Sequence, residues 1–75
     1  MPDSGNAQDR AARAKERELA AHQRAIELHE RAAELQDRLG HPDRAANARE
    51  HAQHARELLV QGLAEQREQE GRAAR

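Results

Sequence analysis

The chain has 75 residues and a formal net charge of −1, from 13 basic and 14 acidic side chains, and it contains five histidines. It has no Cys, Phe, Trp or Tyr, which excludes disulfides, thiolate metal sites and aromatic platforms for stacking bases. Basic and acidic residues balance in both halves, so nucleic-acid binding through phosphate neutralisation is not expected. No apolar run is long enough to span a membrane, and the N-terminus lacks an apolar signal core, so the expected location is the cytoplasm.

One break, Gly40-His41-Pro42-Asp43, interrupts a chain that is otherwise rich in the helix formers Ala, Arg and Glu. Gly suits the left-handed residue just past a helix end, and Pro suits the first turn of the helix that follows. The break therefore predicts an all-α fold, an antiparallel two-helix hairpin over residues 6–70. The predicted bounds are residues 1–5 for a disordered N-terminus, 6–39 for helix 1 with Asn6 as its N-cap, 40–43 for the turn, 43–69 for helix 2, and 71–75 for a disordered C-terminus after Gly71.

Each predicted helix has an Ala-rich stripe at alternating steps of three and four, the spacing of a coiled-coil seam. These two stripes are expected to pack against each other, and Ala at facing positions allows a close approach. In helix 1 the stripe is Ala11, Ala14, Glu18, Ala21, Ala25, Leu28, Ala32, Leu35 and Leu39. In helix 2 it is Ala45, Ala48, Ala52, Ala55 and Leu59.

Helix 1 has a second stripe beside the first, formed by Leu19, His22, Ile26, His29 and Ala33. Together the two stripes span about half of the helix circumference, which is more than a two-helix hairpin can cover. The hairpin is therefore expected to dimerise into a four-helix bundle, or to bind another helical protein. The residues predicted for this second interface are Leu19, His22, Ile26, His29, Val60 and Leu63.

The histidines suggest an alternative function, the binding of a divalent metal ion. His51 and His54 are three residues apart, which is an acceptable ligand spacing, whereas His22 and His29 are two helical turns apart. The predicted seam places the two pairs on opposite flanks of the hairpin, so one chain is not expected to gather all four. A pH-responsive role is a third possibility, because protonation of all five histidines moves the formal charge from −1 to +4.

Catalysis is not expected from this composition. Ser4 is the sole hydroxyl residue, Thr is absent, and no Gly-rich phosphate loop occurs. Glu18, on the predicted seam, is the one carboxylate that the pattern could bury, and a lone seam carboxylate more often sets register than acts as a base. We therefore expect a non-enzymatic protein with no cofactor and no small-molecule substrate.

The stretch from Ala32 to Ala45, followed by Ala52, resembles the centre of a tetratricopeptide repeat. Small residues stand where that family packs its helices closely, and a Gly stands at the turn; they are Ala33, Gly40, Ala45 and Ala52. Larger residues of the family are replaced by His29, Gln36 and Arg49, and no second repeat follows. The resemblance implies a closely packed helical hairpin.

The run Leu28-His29-Glu30-Arg31-Ala32-Ala33-Glu34-Leu35 is similar to segments of small Ala/Arg/His-rich helical-hairpin proteins of actinobacteria. This resemblance also implies a hairpin, and it implies no particular activity.

Overall fold

The structure, a computed structural model, describes residues 4–73, with side chains described for residues 7–72. It consists of two α-helices, α1 (Ser4–Arg38) and α2 (Pro42–Ala73), which lie side by side in antiparallel orientation. The molecule measures 59 × 24 × 11 Å, and its smallest dimension is the diameter of one helix. The all-α hairpin is therefore confirmed, and it is a single layer with two uncovered sides.

The helices are longer than predicted at both free ends. α1 begins at Ser4, so the prediction of Asn6 as its N-cap is wrong, and α2 continues past Gln69 and through Gly71. The C-terminal extension is rich in Glu, Gln, Arg and Ala, whose high helix propensity outweighs one Gly. The predicted disorder of residues 1–3 and 74–75 lies outside the described residues.

The end of α1 has the hydrogen-bond pattern of a Schellman motif. Gly40 has a φ of 77°, in the left-handed region, and its amide donates to the carbonyl of Asp37 at 3.1 Å. The next amide, of His41, donates to the carbonyl of Gln36 at 2.8 Å. These two bonds satisfy carbonyls that the helix end would otherwise leave free, and the positive φ explains why Gly occupies this position.

α2 starts after a short connection of three residues, 39–41. The amide of Ala45 donates to the carbonyl of His41 at 3.0 Å, which is the first hydrogen bond of the helix. Pro42 is thus the first helical residue, where a missing N–H leaves no bond unmade. Asp43 follows in the first turn, where its negative charge is favourable beside the positive end of the helix dipole. The predicted turn is confirmed in each of these roles.

Within residues 7–72, every buried side chain is an alanine. These alanines are Ala33 of α1 and Ala45, Ala48, Ala52 and Ala55 of α2. The predicted seam of α2 is therefore confirmed.

The predicted seam of α1 is wrong, because Leu28, Leu35 and Leu39 are 61%, 51% and 57% exposed. Instead α1 turns its second stripe towards α2, with Leu19, His22, Ile26 and His29 half-buried and Ala33 buried. Near the turn, a small side chain on α1 lets the two helices approach closely. The second stripe supplies Ala33 there, whereas the first stripe would place leucines between the helices.

Ion pairs between the helices accompany this rotation of α1. On one side of the hairpin, Glu30 pairs with Arg56, and Asp37 pairs with Arg49. Nearer the free ends, Nζ of Lys15 donates to Oε2 of Glu65 at 2.9 Å. That hydrogen bond raises the pKa of Lys15. All these groups are at least partly exposed, so they support the register of the helices more than their stability.

Gly62 of α2 is a packing position. It is buried, and a β-carbon at Gly62 would lie 2.6 Å from Cδ2 of Leu19. The missing side chain lets Leu19 lie directly on the backbone of α2. This contact holds the helices together in the half of the hairpin that is far from the turn.

Gly40 at the turn and Gly71 near the end of α2 allow a matched pair of substitutions, because both have room for a side chain. A β-carbon at Gly40 or Gly71 would meet no atom within 4 Å, but only Gly40 has a positive φ. We expect Gly40→Ala to lower the free energy of unfolding by about 1 kcal/mol, because the left-handed conformation is unfavourable for Ala. Gly71→Ala should leave it unchanged or raise it slightly. Urea unfolding followed by circular dichroism measures both, and an unchanged Gly40→Ala variant would contradict the turn geometry.

A double-mutant cycle tests the contact between Leu19 and Gly62. With Leu19→Ala in place, we expect Gly62→Ala to stabilise the hairpin by about 1 kcal/mol, the usual helix-propensity gain. In the wild-type background the same substitution should stabilise less or destabilise, because the new methyl group must displace Leu19. Equal effects of Gly62→Ala in both backgrounds, by thermal or urea unfolding, would show that the two residues do not touch.

Candidate functional site

The two uncovered sides of the hairpin differ. One side, which we call the ion-pair side, is bridged by the Glu30–Arg56 and Asp37–Arg49 pairs. The opposite side has a groove along the helix contact whose walls include Ala25 and Leu58. We call this the open side; its exposed residues include Leu28, Leu35 and Leu39 of α1 and His51, His54 and Leu58 of α2.

Four histidines line the groove of the open side: His22, His29, His51 and His54. The ring centroids of His29 and His51 are 5.2 Å apart, with the rings tilted by 50°. The expectation that the hairpin separates the two histidine pairs is therefore wrong. It followed from the wrong seam, and the observed rotation of α1 places His22 and His29 at the helix contact, facing α2.

The histidine groove is only partly enclosed. His51 and His54 are exposed, and His22 is half-buried with its Nε2 atom 3.9 Å from Oε1 of Glu18. Within residues 7–72, no group of three or more His, Asp or Glu side chains has a geometry that could hold a metal ion. The hairpin thus brings two imidazoles close together, with two more in the same groove, and it provides no third ready ligand.

The six residues predicted for a second interface fall into two groups in the structure. Leu19, His22, Ile26 and His29 belong to the contact between α1 and α2, where all four are half-buried. Val60 and Leu63 are exposed, at 65% and 39%. Leu63 is seven residues after Arg56, so it lies on the ion-pair side, away from the open side. Contact of these residues with a second copy of the chain stays a prediction.

Within residues 7–72, four of the six exposed large apolar side chains lie on the open side. Leu28, Leu35 and Leu39 belong to the coiled-coil stripe of α1, which is exposed except at half-buried Ala25. Leu58, 36% exposed, adds to it from α2. The chain exposes 6131 Å² in total. A compact monomer of 8.4 kDa exposes about 4,600 Å², so the hairpin leaves an excess of about 1,500 Å².

Two rows of charge border this surface, and the apolar stripes alone do not reveal them. Along α1, an Arg occurs at every seventh residue: Arg10, Arg17, Arg24, Arg31 and Arg38. Along α2 an acidic residue does the same: Asp43, Glu50 and Glu57. Arg31 precedes buried Ala33 by two residues, and Glu50 precedes buried Ala52 by two. Two residues correspond to a rotation of about 200° around the helix axis, so Arg31 and Glu50 point away from the contact between the helices. Each row therefore lies on the outer back of its helix, next to the open side.

Glu18, which the sequence pattern could bury, has a side chain that is 56% exposed. At the free ends of the helices a wider groove is lined by Gln8, Lys15, Glu18, Gln66 and Glu70 among others, and all of these are common surface residues. The side chain of Ser4, the sole hydroxyl residue, lies outside the described side chains.

No protein-family model, curated protein or solved structure matches the chain. Neither described helix is both long enough and apolar enough to cross a membrane. The surface of the hairpin is therefore the basis for inferring a function.

Proposed function

We propose that the protein is a non-enzymatic interaction module of the cytoplasm that self-associates through its open side, as a dimeric four-helix bundle. The observation that carries this proposal is the distribution of apolar residues. The buried side chains of the hairpin are alanines, while Leu28, Leu35 and Leu39 are more than half exposed. Leucine contributes about 1.5–3 kcal/mol when it is fully buried, so covering these side chains is a strong driving force for association.

A second copy of the hairpin supplies the missing layer. Stable domains are built from at least two packed layers, and one hairpin forms a single layer 11 Å thick. An excess exposed area of about 1,500 Å² per chain is enough for a stable dimer, whose two partners together bury about 1,200–2,000 Å² in standard interfaces. Pairing the open sides would also cover the histidine groove.

Substitutions on the two sides of the hairpin test the proposed interface. We expect Leu28→Glu/Leu35→Glu to weaken the dimer about 1000-fold or more, since each dimer loses four leucine contacts and gains four charges. Helicity should be retained at high concentration, because both side chains are exposed within the hairpin. Sedimentation velocity combined with circular dichroism measures both quantities.

The matched control is Val60→Glu/Leu63→Glu. The two residues follow Arg56 by four and seven positions, so the control adds the same charge on the ion-pair side and should leave the dimer intact. If this control gives a monomer while Leu28→Glu/Leu35→Glu stays dimeric, the interface lies on the ion-pair side. Ile26→Glu is unsuitable for such a test, because Ile26 is half-buried in the hairpin and its loss would disturb folding.

A second candidate function is the binding of a divalent transition-metal ion by the histidine groove. The observation in its favour is the 5.2 Å approach of the His29 and His51 rings, with His22 and His54 beside them. Imidazole nitrogens suit zinc, nickel and copper. Two imidazoles from one hairpin, together with water or with histidines from a second copy, would complete the coordination.

Calorimetric titration with zinc, nickel and copper tests this candidate. We expect stoichiometric binding that is lost in His51→Ala or His54→Ala, because each variant removes an imidazole from the groove. His41→Ala is the control, since His41 lies at the turn and outside the groove, and it should bind as the wild type does. Absence of binding, or equal binding by all three variants, would rule out a metal site in the groove.

A further inference from the structure

The charge rows on the backs of the two helices are complementary in sign and in spacing. Both repeat every seven residues, the period of positions that flank a coiled-coil seam and choose its partner. Within the described side chains, Arg24, Arg31, Glu50 and Glu57 take part in no ion pair. Their charges are therefore available to a partner.

The register of the hairpin places the two rows level with each other. Leu19 lies level with Gly62, and Lys15 lies level with Glu65. In an antiparallel pair, each step forward along α1 matches one step back along α2. The same register therefore places three oppositely charged pairs at matching heights: Arg24 with Glu57, Arg31 with Glu50, and Arg38 with Asp43.

Within one chain these level residues cannot meet, because the rows lie on opposite outer edges of the hairpin. A second copy stacked on the open side can bring them together in one of two symmetric ways. If α1 stacks on α1 of the partner, each Arg row borders an Arg row, and the acidic rows border each other. If α1 stacks on α2 of the partner, each Arg row borders an acidic row at the same height.

We propose that the dimer has the second arrangement, with a two-fold axis parallel to the helices and α1 of each copy packed on α2 of the other. The proposal rests on self-association through the open side and adds its geometry and its specificity. Leu28 and Leu35 then lie against the partner's α2, and the Arg and acidic rows pair along both outer edges of the bundle. Like charges at such positions disfavour the other arrangement.

Charge reversal tests the pairing at the four middle positions. One variant carries Arg24→Glu and Arg31→Glu, and the other carries Glu50→Arg and Glu57→Arg; Arg38 and Asp43 are kept because they lie at helix ends. Each variant alone should dimerise about 10- to 100-fold more weakly than the wild type, since four attractive pairs become repulsive. An equimolar mixture should form a heterodimer with near wild-type affinity, because both edges are then complementary again. Native mass spectrometry separates the heterodimer from both homodimers.

A charge-matched control distinguishes specific pairing from general attraction between proteins of opposite net charge. Arg13→Glu/Arg67→Glu has the same net charge as the first variant, but neither residue belongs to a row. Mixed with Glu50→Arg/Glu57→Arg, it should form distinctly less heterodimer than the row variant does. Equal heterodimer from the two mixtures would overturn the proposed pairing.

Three other outcomes would contradict different parts of the proposal. If Arg24→Glu/Arg31→Glu pairs preferentially with the wild type, α1 faces α1 and the proposed geometry is wrong. If the wild type dimerises and no reversal changes its affinity, the rows play no part in the contact. A wild type that is monomeric at all concentrations overturns self-association itself, and that result is distinct from both of the others.

Discussion

The close contact of alanines beside the turn is the interaction on which the rest of the structure depends. The Schellman motif at Gly40 and the start of α2 at Pro42 leave a connection of only three residues, 39–41, between the helices. Near the turn, a small side chain on α1 therefore allows the closest approach to α2. Ala33 meets this condition, and its position fixes the rotation of α1 along the whole hairpin, including which residues face outwards.

This rotation separates the apolar surface of the protein into two parts with different roles. The alanines close the hairpin, and the leucines of the coiled-coil stripe remain on the open side. The same rotation brings four histidines into one groove and leaves a row of Arg on the back of α1. A single layer of two helices has no second surface to cover the leucines. The proposed dimer, the histidine groove and the proposed charge pairing all depend on this rotation of α1.

The turn and the seam of α2 could be predicted from the sequence, because both depend on local signals. Gly and Pro disfavour the interior of a helix, so Gly40 and Pro42 mark a helix end and a helix start. α2 has a single Ala stripe, so its seam is unambiguous. The seam of α1 could not, because two adjacent stripes are similarly apolar and the more regular one, with Leu28 and Leu35, faces outwards. The position of Ala33, which the likeness to a tetratricopeptide repeat did single out, decides between them. The histidine groove was missed for the same reason, since it exists only in the observed rotation.

The central claim is that a second copy of the hairpin covers the exposed leucines. Sedimentation velocity and thermal unfolding of the wild-type chain over a range of concentrations test this most directly. The account predicts a species of twice the 8.4 kDa chain mass and an unfolding midpoint that rises with protein concentration, because association stabilises the folded state by mass action. A helical protein with the mass of one chain and an unfolding midpoint independent of concentration would contradict it.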